Sequence, residues 1–156
     1  MKVKTAIDEF RLILHDLYGQ YEYDTYHCLM RLNSAAQLTS SLLVQIASPL
    51  VIAEETFHDG DALPQNFLKT CGTYPIKRTG QTIKFLDDVE EMPIRYYVSV
   101  PKMDKHTEDM PFEHDAINDF VIRTAVKYAL NRNEFDISQD QNILNELQNA
   151  VAEAMA

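Results

Sequence analysis

The apolar residues of this chain change their spacing twice, and that change constrains the fold more than any other feature. Over residues 3–17, Val3, Ile7, Phe10, Ile13, Leu14 and Leu17 recur at three- and four-residue steps, which lays one apolar stripe along a helix. At Ile94, Tyr96, Val98 and Val100 the step is two, the pattern of a strand. At Ile117, Phe120, Val121, Thr124 and Tyr128 the helical step returns. A chain that is helical at both ends and strand-like between is neither all-α nor all-β. The spacing predicts an α+β fold, a helical bundle with an inserted antiparallel β-hairpin or meander.

The turn and cap residues refine this order. Gly19 stands where a glycine would close the first helix, and Asp24 or Thr25 where a second would open, with Leu29, Leu32, Ala35 and Ala36 on one face. Residues 40–56 read as irregular β broken by Pro49, which favours an edge strand or a connection. His58-Asp59-Gly60-Asp61 is a turn cluster, and Leu63, Phe67 and Leu68 are expected to close a single helical turn. Residues 74–78, 81–86 and 94–100 predict a three-stranded meander, with Thr79-Gly80 in its first turn. A polar loop follows at 101–111, bounded by Pro101 and Pro111, and is expected to be exposed. Asp115 is placed to cap the next helix, which Asn131-Arg132-Asn133 ends. Ser138 with Gln141 fits a capping box for a terminal helix over 138–155, striped by Ile143, Leu144, Leu147, Val151 and Ala154. Without repeats or a Ser/Gly-rich linker, residues 1–156 read as one domain. Its core is expected to join Phe10, Leu14, Leu17, Leu29 and Leu32 to Phe120, Val121, Thr124 and Tyr128.

Charge narrows the range of functions. With 14 Lys+Arg against 24 Asp+Glu the formal charge is −10, which argues against a grip on nucleic acid, because phosphate affinity comes mostly from cations displacing counterions. No window approaches the about 20 apolar residues of a membrane span, and two cysteines make no disulfide framework, which suits a reducing compartment. No catalytic constellation emerges. His27 and Cys28 are neighbours on a helix and point apart, so the imidazole is not aimed at the sulfur; Cys28 reads as a core residue, and Cys71 likewise. His58-Asp59 lacks further ligands at metal spacing, Asp87, Asp88, Glu90 and Glu91 read as a solvated turn, and Thr79-Gly80-Gln81 has one glycine where a phosphate cradle needs several. No enzyme activity, cofactor or metal is expected.

Contacts with other chains are the remaining class. Tyr18, Tyr21, Tyr23 and Tyr26 cluster between the first two helices, and tyrosine suits interfaces because a rigid apolar ring carries a polar tip; the same rings could equally lie on the chain's own core. Tyr96-Tyr97 puts one ring on each face of a strand, so at least one is expected outside the core. The interface residues expected from this reading are Tyr21 and Tyr23, then Lys102, Lys105 and His106 on the polar loop, and Ile143, Leu147 and Val151 on the terminal helix. An apolar stripe at a chain end either folds back or docks on a neighbour.

The order of parts resembles the head-to-tail connector proteins of tailed bacteriophages, the small adaptors that form a ring beneath the portal. The resemblance rests on the N-terminal helix pair, on ALPQNFLK at 62–69, on the strand segments GQTIKF and IRYYVSVPKM, on the polar linker DKHTEDMPFEHDAI, and on the closing helix AINDFVIRTAVKYAL. ALPQNFLK is similar to the adaptors' leucine-proline-aspartate-aspartate-phenylalanine turn, with Gln65 and Asn66 in place of the acids. Length and composition also suit ring proteins of crAss-like or other short-tailed phages. The resemblance implies a homo-oligomeric ring, often twelve-fold, that meets the portal protein on one side and other tail or ring proteins on the other. It also implies DNA passing through the channel without specific binding, a place at the head–tail junction of the virion, and no catalytic residues. The alternative class is a small intracellular protein-binding or regulatory module that uses the tyrosine corner or the loop.

Overall fold

The computed structural model describes residues 1–15, 24–106, 108–130 and 141–156. Its elements give an α+β fold, and the chain packs as two compact units: Met1–Leu42 with Val100–Ala156, which is helical, and Leu43–Ser99, which carries the strands.

In the helical unit, α1 (Val3–Ile13) buries Val3, Ala6, Ile7 and Phe10, the spacing of one helix face. Lys2 at its N-cap supplies no side-chain cap. The first amides are satisfied from far along the chain instead: Val3 N–H donates to the Glu108 carbonyl at 2.9 Å and Lys4 N–H to that of His106 at 3.0 Å. The helix stops at Ile13, short of Leu17, because Leu14 closes it and His15 turns into the left-handed region at φ 57°. Leu17 and Gly19 lie outside the described residues. α2 (Thr25–Gln45) opens as expected, with Asp24 Oδ1 accepting from His27 N–H at 2.8 Å. It then runs on to Gln45, through the first residues of the 40–56 stretch where irregular β was expected.

α3 (Asp115–Leu130) packs on both α1 and α4 (Gln141–Ala154). Phe10, Leu32, Phe120, Val121 and Thr124 are buried as the spacing predicts, while Leu14, Leu29 and Tyr128 are half-buried at its margin. Asp115 is the first residue of α3, and its carboxylate lies 3.3 Å from the N-terminal ammonium. The stop at 131–133 and the Ser138 capping box fall outside the described residues.

The β unit begins within the closing turns of α2. Ser48 N–H donates to the Leu43 carbonyl and Ala47 N–H to that of Val44, the paired bonds of a Schellman end, with Ala47 left-handed at φ 53°. After a 3-10 turn at Pro49–Val51, β1 (Ile52–His58) forms the edge of a three-stranded sheet in the order β1, β5 (Glu91–Val98), β2 (Phe67–Thr70). Pro49 thus ends up in the connection, and β2 replaces the helical turn expected at 63–68. The meander does not form either. β3 (Ile76–Thr79) and β4 (Thr82–Phe85) make a separate two-stranded sheet, and β5 pairs on both sides with β1 and β2. The reason is apolar: both sheets feed one core, with Ile83 and Phe85 of β4 packed beside Phe57, Leu63, Ile94 and Tyr96. Tyr97, on the opposite face from Tyr96, is also only 8 % exposed, against the expectation that one ring lies outside. Lys69 Nζ stands 5.7 Å from its ring centroid and Cys71 Sγ 3.6 Å from its hydroxyl.

Candidate functional site

Asn33 sits mid-helix in α2, where an asparagine is a poor helix former, and its amide organises the surface that follows. Its Nδ2 donates to the Met103 carbonyl and its Oδ1 accepts from Met103 N–H, each at 2.8 Å. Met103, Met110 and Phe112 are buried. Besides the two carbonyls that cap α1, Met110 N–H donates to the Met1 carbonyl and Lys2 Nζ lies 2.8 Å from Asp109. The Lys2 ammonium holds the Asp109 carboxyl below its ordinary value. The loop expected to reach outward is therefore bound down on the N-terminal helix. Pro101 and Pro111 are not what anchors it; two methionines and the missing cap of α1 are.

This anchoring leaves an open groove of about 890 Å³ along α2. Tyr26, Met30, Asn33 and Gln37 line it from α2 at helical spacing, with Met103 and Tyr128 opposite and the exposed Lys102 and Asp104 at the rim. Tyr26 is 70 % exposed and Met30 41 %, so apolar surface faces solvent there. An apolar floor with a sparse polar rim fits a side chain or a peptide segment.

The expected interface residues divide. Lys102, Lys105 and His106 are exposed, and Lys102 belongs to the groove. Tyr21 and Tyr23 lie outside the described residues. Ile143 and Leu147, at 1 % and 0 % exposure, are covered in this chain, where α4 packs on α3, and Val151 is half-buried; the stripe of α4 folds back. Sequence spacing does not show the groove, because it joins three distant segments, residues 26–41, 102–104 and Tyr128.

The histidine, cysteine and aspartate candidates singled out by the sequence are mostly engaged in structure. His27 Nδ1 lies 2.8 Å from Asp24 Oδ1, and hydrogen bonds from His27, its backbone amide first, hold the Asp24 carboxyl low. Cys28 is fully buried while His27 is exposed. Asp61 accepts from His58 N–H and Asp59 from Phe85 N–H, each at 2.7 Å, so the first carboxylate closes the turn and the second ties it to β4. The contact with Cys71, and then burial, push the Tyr97 hydroxyl up. Among the described residues no cluster of three or more His, Cys, Asp or Glu is placed to hold a metal, and no helix is long and apolar enough to cross a membrane. Comparison with protein-family models and with curated proteins returned no match.

Proposed function

We propose that this chain is a structural virion protein, an adaptor whose copies form a ring between the portal and the tail and let DNA pass. One observation carries the reading. Met1–Leu42 and Val100–Ala156 pack as one helical unit although the whole β unit, Leu43–Ser99, is spliced between them. That order of helix pair, strands, connecting segment and closing helix is the one on which the resemblance to head-to-tail connectors rests. The −10 charge supports it, because a passage for DNA works best when its wall holds phosphate weakly. In this reading the partners are further copies of the chain, the portal protein and other tail or ring proteins, and the protein performs no catalytic step.

Native mass measurement and negative-stain imaging, of the protein alone and mixed with its portal, test the reading. Rings in either sample are the expected result; a monomer in both rejects it. The α2 groove favours a second reading, a monomeric module that holds a protein segment. In that case Met30→Glu abolishes partner binding while no ring forms under any condition.

A further inference from the structure

The 25 residues from 62 to 86 contain four of the chain's cations, Lys69, Lys77, Arg78 and Lys84, and none of its 24 acids. Two of the four are placed unusually. In the β3–β4 hairpin Lys77 is the direct cross-strand partner of Lys84, both exposed, with the Thr79–Thr82 pair beside them on the same face. The alternate positions face the core: Ile83 and Phe85 are buried, and the Arg78 guanidinium lies 5.8 Å from the Phe67 ring centroid. Like charges directly opposite each other destabilise a hairpin. Among the described residues neither lysine is in an ion pair that would relieve this repulsion.

The turn that follows β4 has the opposite character. Asp87, Asp88, Glu90 and Glu91 are all exposed, and among the described residues only Glu91 has a basic side chain close by, His58 Nε2 at 3.5 Å. Between these acids stand two apolar side chains open to solvent, Leu86 at 64 % and Val89 at 44 % exposure. A lysine face without acids and an acidic turn without cations thus lie three residues apart in sequence, in one compact unit, and do not pair with each other. We propose that they pair between copies: the Lys77/Lys84 face of one chain docks on the 86–91 turn of the next. Leu86 and Val89 supply the apolar contact, and the charges set register and steer encounter. The inference rests on the ring reading and identifies one contact of that ring. A second copy is favoured over a nucleic acid because the acids that begin at Asp87 would repel a phosphate backbone drawn to Lys84.

Charge reversal tests this on the full chain. K77E/K84E and D87K/D88K alter exposed positions only, and circular dichroism checks that each folds. Each variant alone is expected to self-associate at least about tenfold more weakly than wild type by native mass and light scattering. An equimolar mixture of the two, and a chain carrying all four changes, are expected to recover assembly, since each then presents opposite charges across the contact. Wild-type assembly should weaken with added salt. The contact is overturned if either variant assembles like wild type, or if neither the mixture nor the fourfold variant recovers. It is also overturned if K77E/K84E assembles normally but loses retention of a short DNA duplex, which would assign the lysine face to phosphate. Recovery as a closed dimer keeps the contact and rejects the ring, so the two fail separately.

Discussion

Asn33 holds both backbone groups of Met103 with one amide, so removing it leaves a donor and an acceptor unmatched at a half-buried site. Asn33→Ala is expected to cost about 1–3 kcal/mol in a denaturant melt. It should also speed amide exchange at 102–104, whereas Asn33→Asp, which keeps the acceptor for Met103 N–H, should lose less. Tyr96 gives a second residue-scale prediction. Its burial, and then the hydrogen bond its hydroxyl donates to Glu55 Oε2 at 3.0 Å, raise its pKa above the ordinary 10.0. A group whose folded pKa is raised contributes fully below the unfolded value and loses that contribution as pH climbs through the folded one. The β unit should therefore weaken above pH 10, with tyrosinate absorbance tracking the loss, and Tyr96→Phe should flatten this pH dependence. Spacing alone singled out Phe10, Leu32 and Phe120 as buried, because a helix period fixes which residues share a face. It could not single out Asn33, whose partner is 70 residues away.

Two helix ends show how elements depart from their local signals. α2 closes on Ala47 at φ 53°, a backbone region that favours glycine, so the sequence shows no stop there. Ala47→Gly should relieve that strain and raise stability by about 1 kcal/mol in thermal or urea melts; a loss would show that the alanine methyl makes a compensating contact. α4 makes the opposite point. Its stripe predicts a surface for neighbours, yet Leu147 is 0 % exposed within the chain. Leu147→Ala should cost about 2–5 kcal/mol and broaden the melt of the helical unit; an unchanged melt would restore the docking role. β3, β4 and β5 were legible one by one, but β2 was not, and neither was the pairing. β5 lies at the centre of its sheet because its neighbours come from residues 52–58 and 67–70, and alternation within a strand says nothing about which edge it joins.

For the whole chain the dominant electrostatic quantity is its −10 charge. The ion pairs among described residues are mostly exposed, as with Lys4–Asp8 and Arg95–Glu54, and exposed pairs contribute little. Self-repulsion should outweigh them, so the Tm of the chain, measured at a dilution where it is monomeric, is expected to rise as salt screens the charge. A Tm that falls with salt would show that attractive pairs dominate. The passage between the two compact units left no mark in the sequence. It falls at Leu42–Leu43, inside α2, and again at Ser99–Val100, just after β5.

By itself the sequence determined the α+β class, the positions of most elements, the turn at 58–61 and much of the helical core, because periodicity and turn chemistry act over a few residues. Tertiary structure alone decided which strands pair, where α1 and α2 stop, that α4 folds back, and that the 101–111 segment is anchored. α1 and α2 stop where a non-glycine residue, His15 or Ala47, takes the left-handed backbone, whereas the strand pairing, the fold-back and the anchoring each satisfy a backbone group or an apolar face with a residue distant in sequence. The amides of Val3 and Lys4, capped by the carbonyls of Glu108 and His106, show this most directly: the local sequence leaves those donors without an acceptor, and only the folded chain supplies one.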